Sequence, residues 1–334
     1  MHLSKLVLLT GGTGFIGSYI IDALLERGYL VRCLVRESSV IDRWEGMPGI
    51  SFVTGDLTKP ETLVNIAADV DYVIHLAAAG HVSSVSEESF KKFVAINETG
   101  TRNLIDACKA VGCVKKFIHF SSTAAMGPIG NPILDENSVP NPVTPYQKSK
   151  LCSEWVVRDA WENAGFPGLI LRPCMVYGIG GLGAFHRFYD LMKKSRFPRV
   201  GLGRKLTPMV YVSDVAQAAM KALEKGRPGE SYIIASETSF PMDTIRKLII
   251  QNAQVRAFYP YIPGWAALAM GKMLEVMYTA VGKEPIVTYR NINSTIVDRT
   301  FDIRKAKMEL GYEPQMRVEE GIRKTIEWYK KNNF

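Results

Sequence analysis

The five cysteines, Cys33, Cys108, Cys113, Cys152 and Cys174, form no Cys-x-x-Cys pair, and their number is odd. A disulfide framework or a cysteine zinc site needs paired spacing, so neither is expected, and no metal is expected. Buried, reduced thiols in a cytoplasmic protein are the reading that remains. Long apolar runs are missing as well: no stretch reaches the roughly 18 apolar residues of a membrane span. The opening MHLSKLVLLTGG has a short apolar run that soon meets glycines, which suits a first strand and not a signal peptide. There is no internal repeat and no low-complexity linker. No stripe of basic residues interleaves with aromatics, so nucleic acid is not an expected partner. The 41 Lys and Arg against 33 Asp and Glu leave a net charge of +8, scattered in short clusters such as Lys115-Lys116 and Lys330-Lys331. That balance suits anionic cofactors or substrates.

What is present is an alternation of strands and helices. KLVLLT, YLVRCLVR, ISFVTGDL, VDYVIHLAA, KKFIHFSST and LILRPCMVYG read as strands. SYIIDALLERG, KPETLVNIAAD, the long FKKFVAINETGTRNLIDACKAVG and PYQKSKLCSEWVVRDAWENAG read as helices between them. The strands are apolar runs and not strict alternations, as a sheet covered on both faces requires. The fold class is therefore α/β, a Rossmann-type doubly wound parallel sheet with a smaller C-terminal substrate lobe. Residues 1–174 form the expected dinucleotide-binding domain, with 211–235 adding late elements. Residues 175–210 and 236–334 form the expected substrate lobe.

TGGTGFIG lies between the first strand and the first helix. Gly11, Gly12, Gly14 and Gly17 permit a tight turn and a close approach of backbone to a pyrophosphate, and the helix N-terminus supplies free N–H groups. Thr13, Phe15 and Ile16 lie inside this turn and complete the candidate cradle. An NAD site usually has an acid at the end of the second strand for the ribose 2′-hydroxyl. Here Val35 lies near that place and Arg36 follows, and a guanidinium pairs with a 2′-phosphate. NADP(H) is favoured; NAD(H) stays open, because Glu37 serves as the acid if the register shifts. Arg32 alternates on the same strand with no fixed direction. Asp56 and Leu57, in GDL after the third strand, are placed for the adenine. Leu76, Ala77 and Ala78, after the fourth strand, let the cofactor pass close to the backbone.

Tyr146 and Lys150 stand four residues apart on one helix face. A phenol titrates near pH 10 and needs a neighbouring ammonium to work near neutrality. A bare Tyr-x-x-x-Lys is commonplace on a solvated helix. What lifts this one is FIHFSSTAAMG upstream, which delivers Ser121, Ser122 and Thr123 to the sheet edge where the cofactor is expected. A hydroxyl there can hold a substrate carbonyl beside the phenol.

In this order, TGGTGFIG, GDL, HLAA, NETGTRNLIDA, FSST, YQKSK, RPCMVYG, VYVSDVAQA and FDIRKAKMELGYEP resemble the extended short-chain dehydrogenases/reductases, the NAD-dependent epimerase/dehydratase superfamily, over nearly the whole chain. The resemblance implies hydride transfer with a nicotinamide cofactor. It implies Tyr146 as catalytic acid/base, Lys150 as its partner, and Thr123 as the catalytic hydroxyl, with Ser122 as the alternative. It further implies Asn97 as a support of the active site, Pro173 as a cofactor contact, and a homodimer.

Within the family the sequence leans towards the 3β-hydroxysteroid dehydrogenase and dihydroflavonol-4-reductase branch. Thr207 stands where nucleotide-sugar enzymes often carry an arginine, although Arg204 and Lys205 are close. Ala124 and Ala125 replace the Asp-Glu pair of the dehydratases. The apolar segment 262–281 resembles that branch too, and it suits core, an apolar cleft or peripheral contact with a membrane surface. The expected substrate is thus a ketone or secondary alcohol on a small apolar, steroid-, flavonol- or isoprenoid-like molecule. A nucleotide-sugar 4-epimerase or reductase, and a non-catalytic dinucleotide-binding protein, are the alternatives. GIGGLGAF, residues 178–185, is expected as a mobile lip; His81 and His186 can face the pocket, but a lone histidine is more often structural.

Overall fold

Seven of the apolar runs pair into one parallel sheet in the computed structural model, which describes residues 5–80, 87–128, 133–194, 199–201, 203–255, 260–280 and 300–334. The strands are β1 (Leu6–Thr10), β2 (Leu30–Val35), β3 (Ile50–Thr54), β4 (Tyr72–His75), β5 (Lys116–Phe120), β6 (Gly168–Pro173) and β7 (Ser231–Ile234). Their order is β7-β6-β5-β4-β1-β2-β3. The chain starts at β1, winds outward to β3, and returns to β4 on the other side. The order therefore reverses between β1 and β4, where open α/β sheets bind ligands.

The helices are α1 (Phe15–Glu26), α2 (Glu87–Phe93), α3 (Gly100–Val111), α4 (Pro145–Ala164), α5 (Ala184–Lys193), α6 (Val212–Lys225), α7 (Met242–Ala253), α8 (Gly264–Ala280) and α9 (Val318–Lys331). Side chains alternate across each strand. Val7, Leu9 and Cys33 pack with Ile20 and Leu24 of α1 and Ala219 of α6 on one face. Leu8, Val73 and Phe117 pack with Leu104 of α3 and Val157 of α4 on the other. Covering both faces is why the strands read as continuous apolar runs.

Local sequence sets the ends of α4. Thr144 caps it, accepting from the Gln147 N–H at 3.2 Å, and the Gln147 side chain reaches back to the Thr144 N–H at 3.2 Å. Pro145 opens the helix, and Gly165 ends it in the left-handed region with φ +61°. Two expected helices differ. KPETLVNIAAD forms only a 3₁₀ turn, Pro60–Leu63, because Asn65 and Asp69 adopt φ of +57° and +62°, which no helix tolerates. The long helix over residues 90–112 is interrupted by a π-helical turn, Val94–Thr99, between α2 and α3.

Beyond β6 the strands shrink to short pairs: 175–177 with 209–211, 206–207 with 240–241, and 199–200 with 261–262. They hold α5, α7 and α9 around a further core that includes Tyr177, Tyr189, Ile249 and Tyr329. Residues 178–183 are anchored, in contrast to the expected mobile lip. Tyr19 donates to the Ile179 carbonyl at 3.0 Å, Tyr329 donates to the Gly181 carbonyl at 2.5 Å, and the Phe15 ring lies against Gly181. In α8, Trp265, Met270, Met273, Val276 and Met277 are exposed. Among the described residues no helix is long and apolar enough to cross a membrane. His81 falls outside the described residues.

Candidate active site at the carboxyl edge of the sheet

The turn after β1 is built from close backbone contacts. Gly11 has φ +73°, and a Cβ there would stand 2.7 Å from the Ala77 nitrogen. Gly12 and Gly17 sit beneath the turn: a methyl on Gly12 would strike the Cys33 sulfur, and one on Gly17 would strike the Gly11 carbonyl. Gly14 ends the turn as the cap of α1 without a side-chain cap bond, so the first N–H groups of the helix stay open to the cleft.

That cleft has a volume of about 570 Å³ and lies at the β1/β4 switch point. Of the expected cofactor residues, Gly11, Thr13 and Gly14 line its floor. Arg36, Asp56 and Leu57 line one end, and Leu76, Ala77 and Ala78 the other. Phe15 and Ile16 turn away from the cleft into hydrophobic packing, because the helix they open buries its apolar side. A backbone cradle at a helix N-terminus, in a cleft of this size, fits a dinucleotide pyrophosphate.

At the end of β2, Val35 is buried and Arg36 is exposed along the cleft, while Glu37 is not among its lining residues. Arg36 and Ser39 form a closed turn: the Arg36 N–H donates to Ser39 Oγ at 3.1 Å, and the Ser39 N–H donates to the Arg36 carbonyl at 2.9 Å. Arg32 points elsewhere and donates to the Ile66 and Ala68 carbonyls at 3.0 and 2.7 Å. Asp56 accepts from the N–H and hydroxyl of Thr58, at 2.9 and 2.8 Å, which holds its carboxyl below the usual range.

Tyr146, on the first turn of α4, meets this cleft at Gly80, where an added Cβ would stand 3.7 Å from the phenol ring. Its hydroxyl is hydrogen-bonded to Ser122. The serine was the second choice on sequence. Thr123 begins the 3₁₀ turn that follows β5 and is buried, and Ser122 is the hydroxyl seen to act on the phenol. Ser122 Oγ also lies 3.5 Å from the Pro173 carbonyl, which brings that residue to the same corner.

Lys150 is 3% exposed, and its Nζ donates to the Phe120 carbonyl at 2.7 Å. Burial lowers its titration to about 8, with the Glu154 carboxylate opposing the fall. The expected lowering of the phenol is not what burial gives: Tyr146 is pushed above its usual value, and the Ser122 hydrogen bond only offsets this. A phenol in that state is a proton donor at neutral pH.

Asn97 is 1% exposed on the π turn. Its side chain accepts from the Ala79 N–H at 2.7 Å and donates to the Ala79 carbonyl at 3.0 Å and to Ser149 Oγ at 2.9 Å. Ser149 in turn donates to the Tyr146 carbonyl at 2.9 Å. Asn97 thus ties the loop lining the cleft to the helix carrying the phenol.

Sequence reasoning missed the polar core beneath. Thr10 Oγ1 lies 2.7 Å from His75 Nδ1 and accepts from the Ala77 N–H at 3.2 Å. His75 Nε2 lies 2.9 Å from Thr101 Oγ1, which donates to the Asn97 carbonyl at 2.6 Å. Thr101 has spent its proton, so His75 carries its hydrogen on Nε2 and accepts from Thr10 at Nδ1. Burial pushes His75 down to about 3. His119 Nε2 lies 2.9 Å from Ser153 Oγ, which donates to the Lys150 carbonyl at 2.7 Å. The one sequence signal was a polar residue at or next to the end of three apolar runs: Thr10, His75 and His119. Of the two readings for His186 the structural one holds: it packs on Tyr329 and Phe334, at ring distances of 4.9 and 5.6 Å.

Comparison with known proteins adds to this geometry. The family model described as "NAD dependent epimerase/dehydratase family" matches residues 7–235. The dTDP-D-glucose 4,6-dehydratase of Mus musculus is 29% identical over 98% of this chain and 90% of its own length. The 4-hydroxy-2-methyl-3-oxo-4-farnesyl-3,4-dihydroquinoline-1-oxide ketoreductase of Stigmatella aurantiaca is 27% identical over 94% of this chain and 93% of its own. The crystal structure of UDP-glucuronic acid 4-epimerase from Bacillus cereus, in complex with UDP-glucuronic acid and NAD, is similar with a TM-score of 0.79. It is 25% identical and covers 98% of this chain and 100% of its own. These relatives are nucleotide-sugar enzymes and a quinoline ketoreductase, which corrects the lean towards the steroid and flavonol branch.

Proposed function

The chain belongs to the NAD dependent epimerase/dehydratase family, as an enzyme of the extended short-chain dehydrogenase/reductase type with an NAD(P) dinucleotide cofactor, and from this we propose that it interconverts a ketone and a secondary alcohol on a nucleotide-activated sugar, as an epimerase or reductase. The observation that carries the chemistry is the Tyr146 phenol, hydrogen-bonded to Ser122 and abutting the cofactor cleft at Gly80. Elimination of water is disfavoured, because Ala124 and Ala125 follow the hydroxyl cluster and neither can serve as acid or base.

When bound, a nicotinamide supplies the exchange of hydride with the substrate carbon. The protein's own groups manage the oxygen. Tyr146 gives its proton to a carbonyl oxygen in reduction and takes it back in oxidation. Ser122 orients that oxygen from the end of β5. Lys150 supplies the charge that a phenolate needs when the proton has left. Asn97 keeps the Tyr146 end of α4 in register with the loop lining the cleft. Arg36 and Ser39 suit a 2′-phosphate, so NADP(H) is the preferred form.

A second reading is reduction of an apolar ketone. It is favoured by Thr207, which is partly buried, has a hydroxyl with no hydrogen-bond partner among the described residues, and stands where nucleotide-sugar enzymes often have an arginine. Purified protein supplied with UDP- and dTDP-hexoses and NAD(P) tests both, with products followed by NMR. Formation of an epimer or an alcohol from a keto sugar supports the first reading. Turnover of apolar ketones alone supports the second. Tyr146→Phe should lower either turnover by at least about a thousandfold while dinucleotide affinity changes less than about threefold, since the variant loses only the transferable proton. Near-normal turnover in that variant removes Tyr146 as the acid/base.

A further inference from the structure

Tyr146, Lys150 and Glu154 form one column on α4, a helical turn apart at about 6 Å per step. The first two have roles in the reading above; the third has none. Glu154 is fully buried. Both its oxygens are taken by one guanidinium: Arg172 Nε donates to Oε1 at 2.9 Å and Nη2 to Oε2 at 2.6 Å. Arg172 lies on β6, 2% exposed, and its Nη1 donates to the Glu136 carbonyl at 3.3 Å. The Glu136 carboxylate in turn accepts from the Ile233 N–H at 2.8 Å, so the fork is fixed from behind.

A buried ion pair adds little net stability over apolar side chains of the same volume. Its placement here has another consequence. Among the described residues, Glu154 from α4, His75 from β4 and His119 from β5 act electrostatically with Lys150, and Tyr146 stands one turn before it on α4. Both histidines are neutral, as burial holds them far below their usual value. Glu154 is the one carboxylate in the set, and the Arg172 fork holds it aimed.

We propose that Glu154, clamped by Arg172, is a positioning residue for the catalytic centre, holding Lys150 as an ammonium directed at the Phe120 carbonyl beside Ser122 and Tyr146. This rests on the reading of Tyr146 and Lys150 as the acid–base pair. Without the carboxylate, Lys150 would face a bare guanidinium and two neutral rings, and would lose its proton within the working pH range. The sign is fixed: an opposite charge favours the charged form, so its removal moves the lysine's titration downward.

The test compares wild type, Glu154→Gln, and Glu154→Gln/Arg172→Met. The double variant removes both charges at similar volume, so it stays informative if the single variant fails to fold with Arg172 unpaired. In wild type the alkaline limb of kcat belongs near the lysine's value of about 8. In the double variant the limb should fall by about one pH unit, giving roughly fivefold lower kcat at pH 8 with kcat at pH 6 within about twofold of wild type. KM should not follow. Arg172→Gln, which leaves Glu154 to the lysine alone, should move the limb upward. A merely structural role would lower turnover at every pH and in the same direction for all variants. Dinucleotide binding, followed by NADPH fluorescence against pH, reads the same ammonium without any substrate. It should weaken at a pH about one unit lower in the double variant. If wild type turns over no keto sugar or ketone but this binding shift is present, the functional reading fails and the Glu154 proposal stands. A folded double variant with both pH profiles unmoved overturns the proposal.

Discussion

Ser122 leaves β5 in an extended conformation, φ −161° and ψ 152°, accepts from the Ala124 N–H at 3.1 Å, and shares a hydrogen bond with the Tyr146 phenol. Three adjacent hydroxyls were legible in the sequence; which of them meets the phenol was not. The choice depends on how the 3₁₀ turn Thr123–Met126 bends the chain out of the sheet, and no spacing rule encodes that bend. Ser122→Ala should lower kcat by about 10²- to 10³-fold, the usual cost of losing one oxygen-orienting donor. The same variant should move the phenol's limb to higher pH, because the lost hydrogen bond was the contact opposing the effect of burial. Thr123→Val should stay within about tenfold of wild type. Steady-state pH profiles of the two variants decide the matter, and the reverse pattern would return the role to Thr123.

At the scale of elements, the legible parts are those with local causes. The strands follow from apolar runs, and α4 from its capping box and terminal glycine. The turn after β1 follows from four glycines, two of which admit no methyl without striking the neighbouring chain. The π turn at Val94–Thr99 was not legible, since an extra residue in a helical turn leaves the apolar pattern nearly unchanged. Nor was the His75 network, whose partners Thr10 and Thr101 are 65 and 26 residues distant. That network joins β1, β4 and α3 and has a measurable signature. His75 titrates near 6.5 when unfolded and is held at about 3 in the fold. Its contribution is therefore complete above about pH 6.5 and lost as pH falls towards 3. At 1.36 kcal/mol for each unit, this is on the order of a few kcal/mol. Urea unfolding of His75→Gln should show a shallower loss of stability over that window than wild type. Carboxylates titrate there in both proteins, so the difference between the two curves reports the histidine. Parallel curves would mean that the ring is protonated in the fold.

For the molecule as a whole, the reversal of strand order between β1 and β4 opens the cleft, and residues 178–183 are pinned by Tyr19 and Tyr329. The sheet was legible because its strands are long enough to carry a pattern; the smaller lobe and its apolar and last helices were legible too, but not its strand pairs, which are two or three residues long and held by packing among α5, α7 and α9. A ligand seated in the cleft touches the turn after β1, the β2 end and the loop after β4, so its binding should stabilise the whole fold. At a hundred times its Kd such a ligand adds about 2.7 kcal/mol to the free energy of unfolding. The cofactor's 2′ position can therefore be read from thermal unfolding with NADPH and NADH at equal concentration. If Arg36 pairs with a 2′-phosphate, NADPH should raise the Tm of wild type more than NADH does. A hydrogen bond to a charged group is worth about 1.5–3 kcal/mol, so Arg36→Ala should weaken NADPH by about 10- to 100-fold and leave NADH unaltered. Equal shifts with both nucleotides, unchanged in the variant, would take Arg36 off the cofactor. Tighter NADH binding by wild type would favour NAD, the cofactor named with the Bacillus cereus epimerase. The cleft would then recognise the adenosine ribose without an acid at Val35, leaving that task to the Arg36–Ser39 turn and the Asp56 loop.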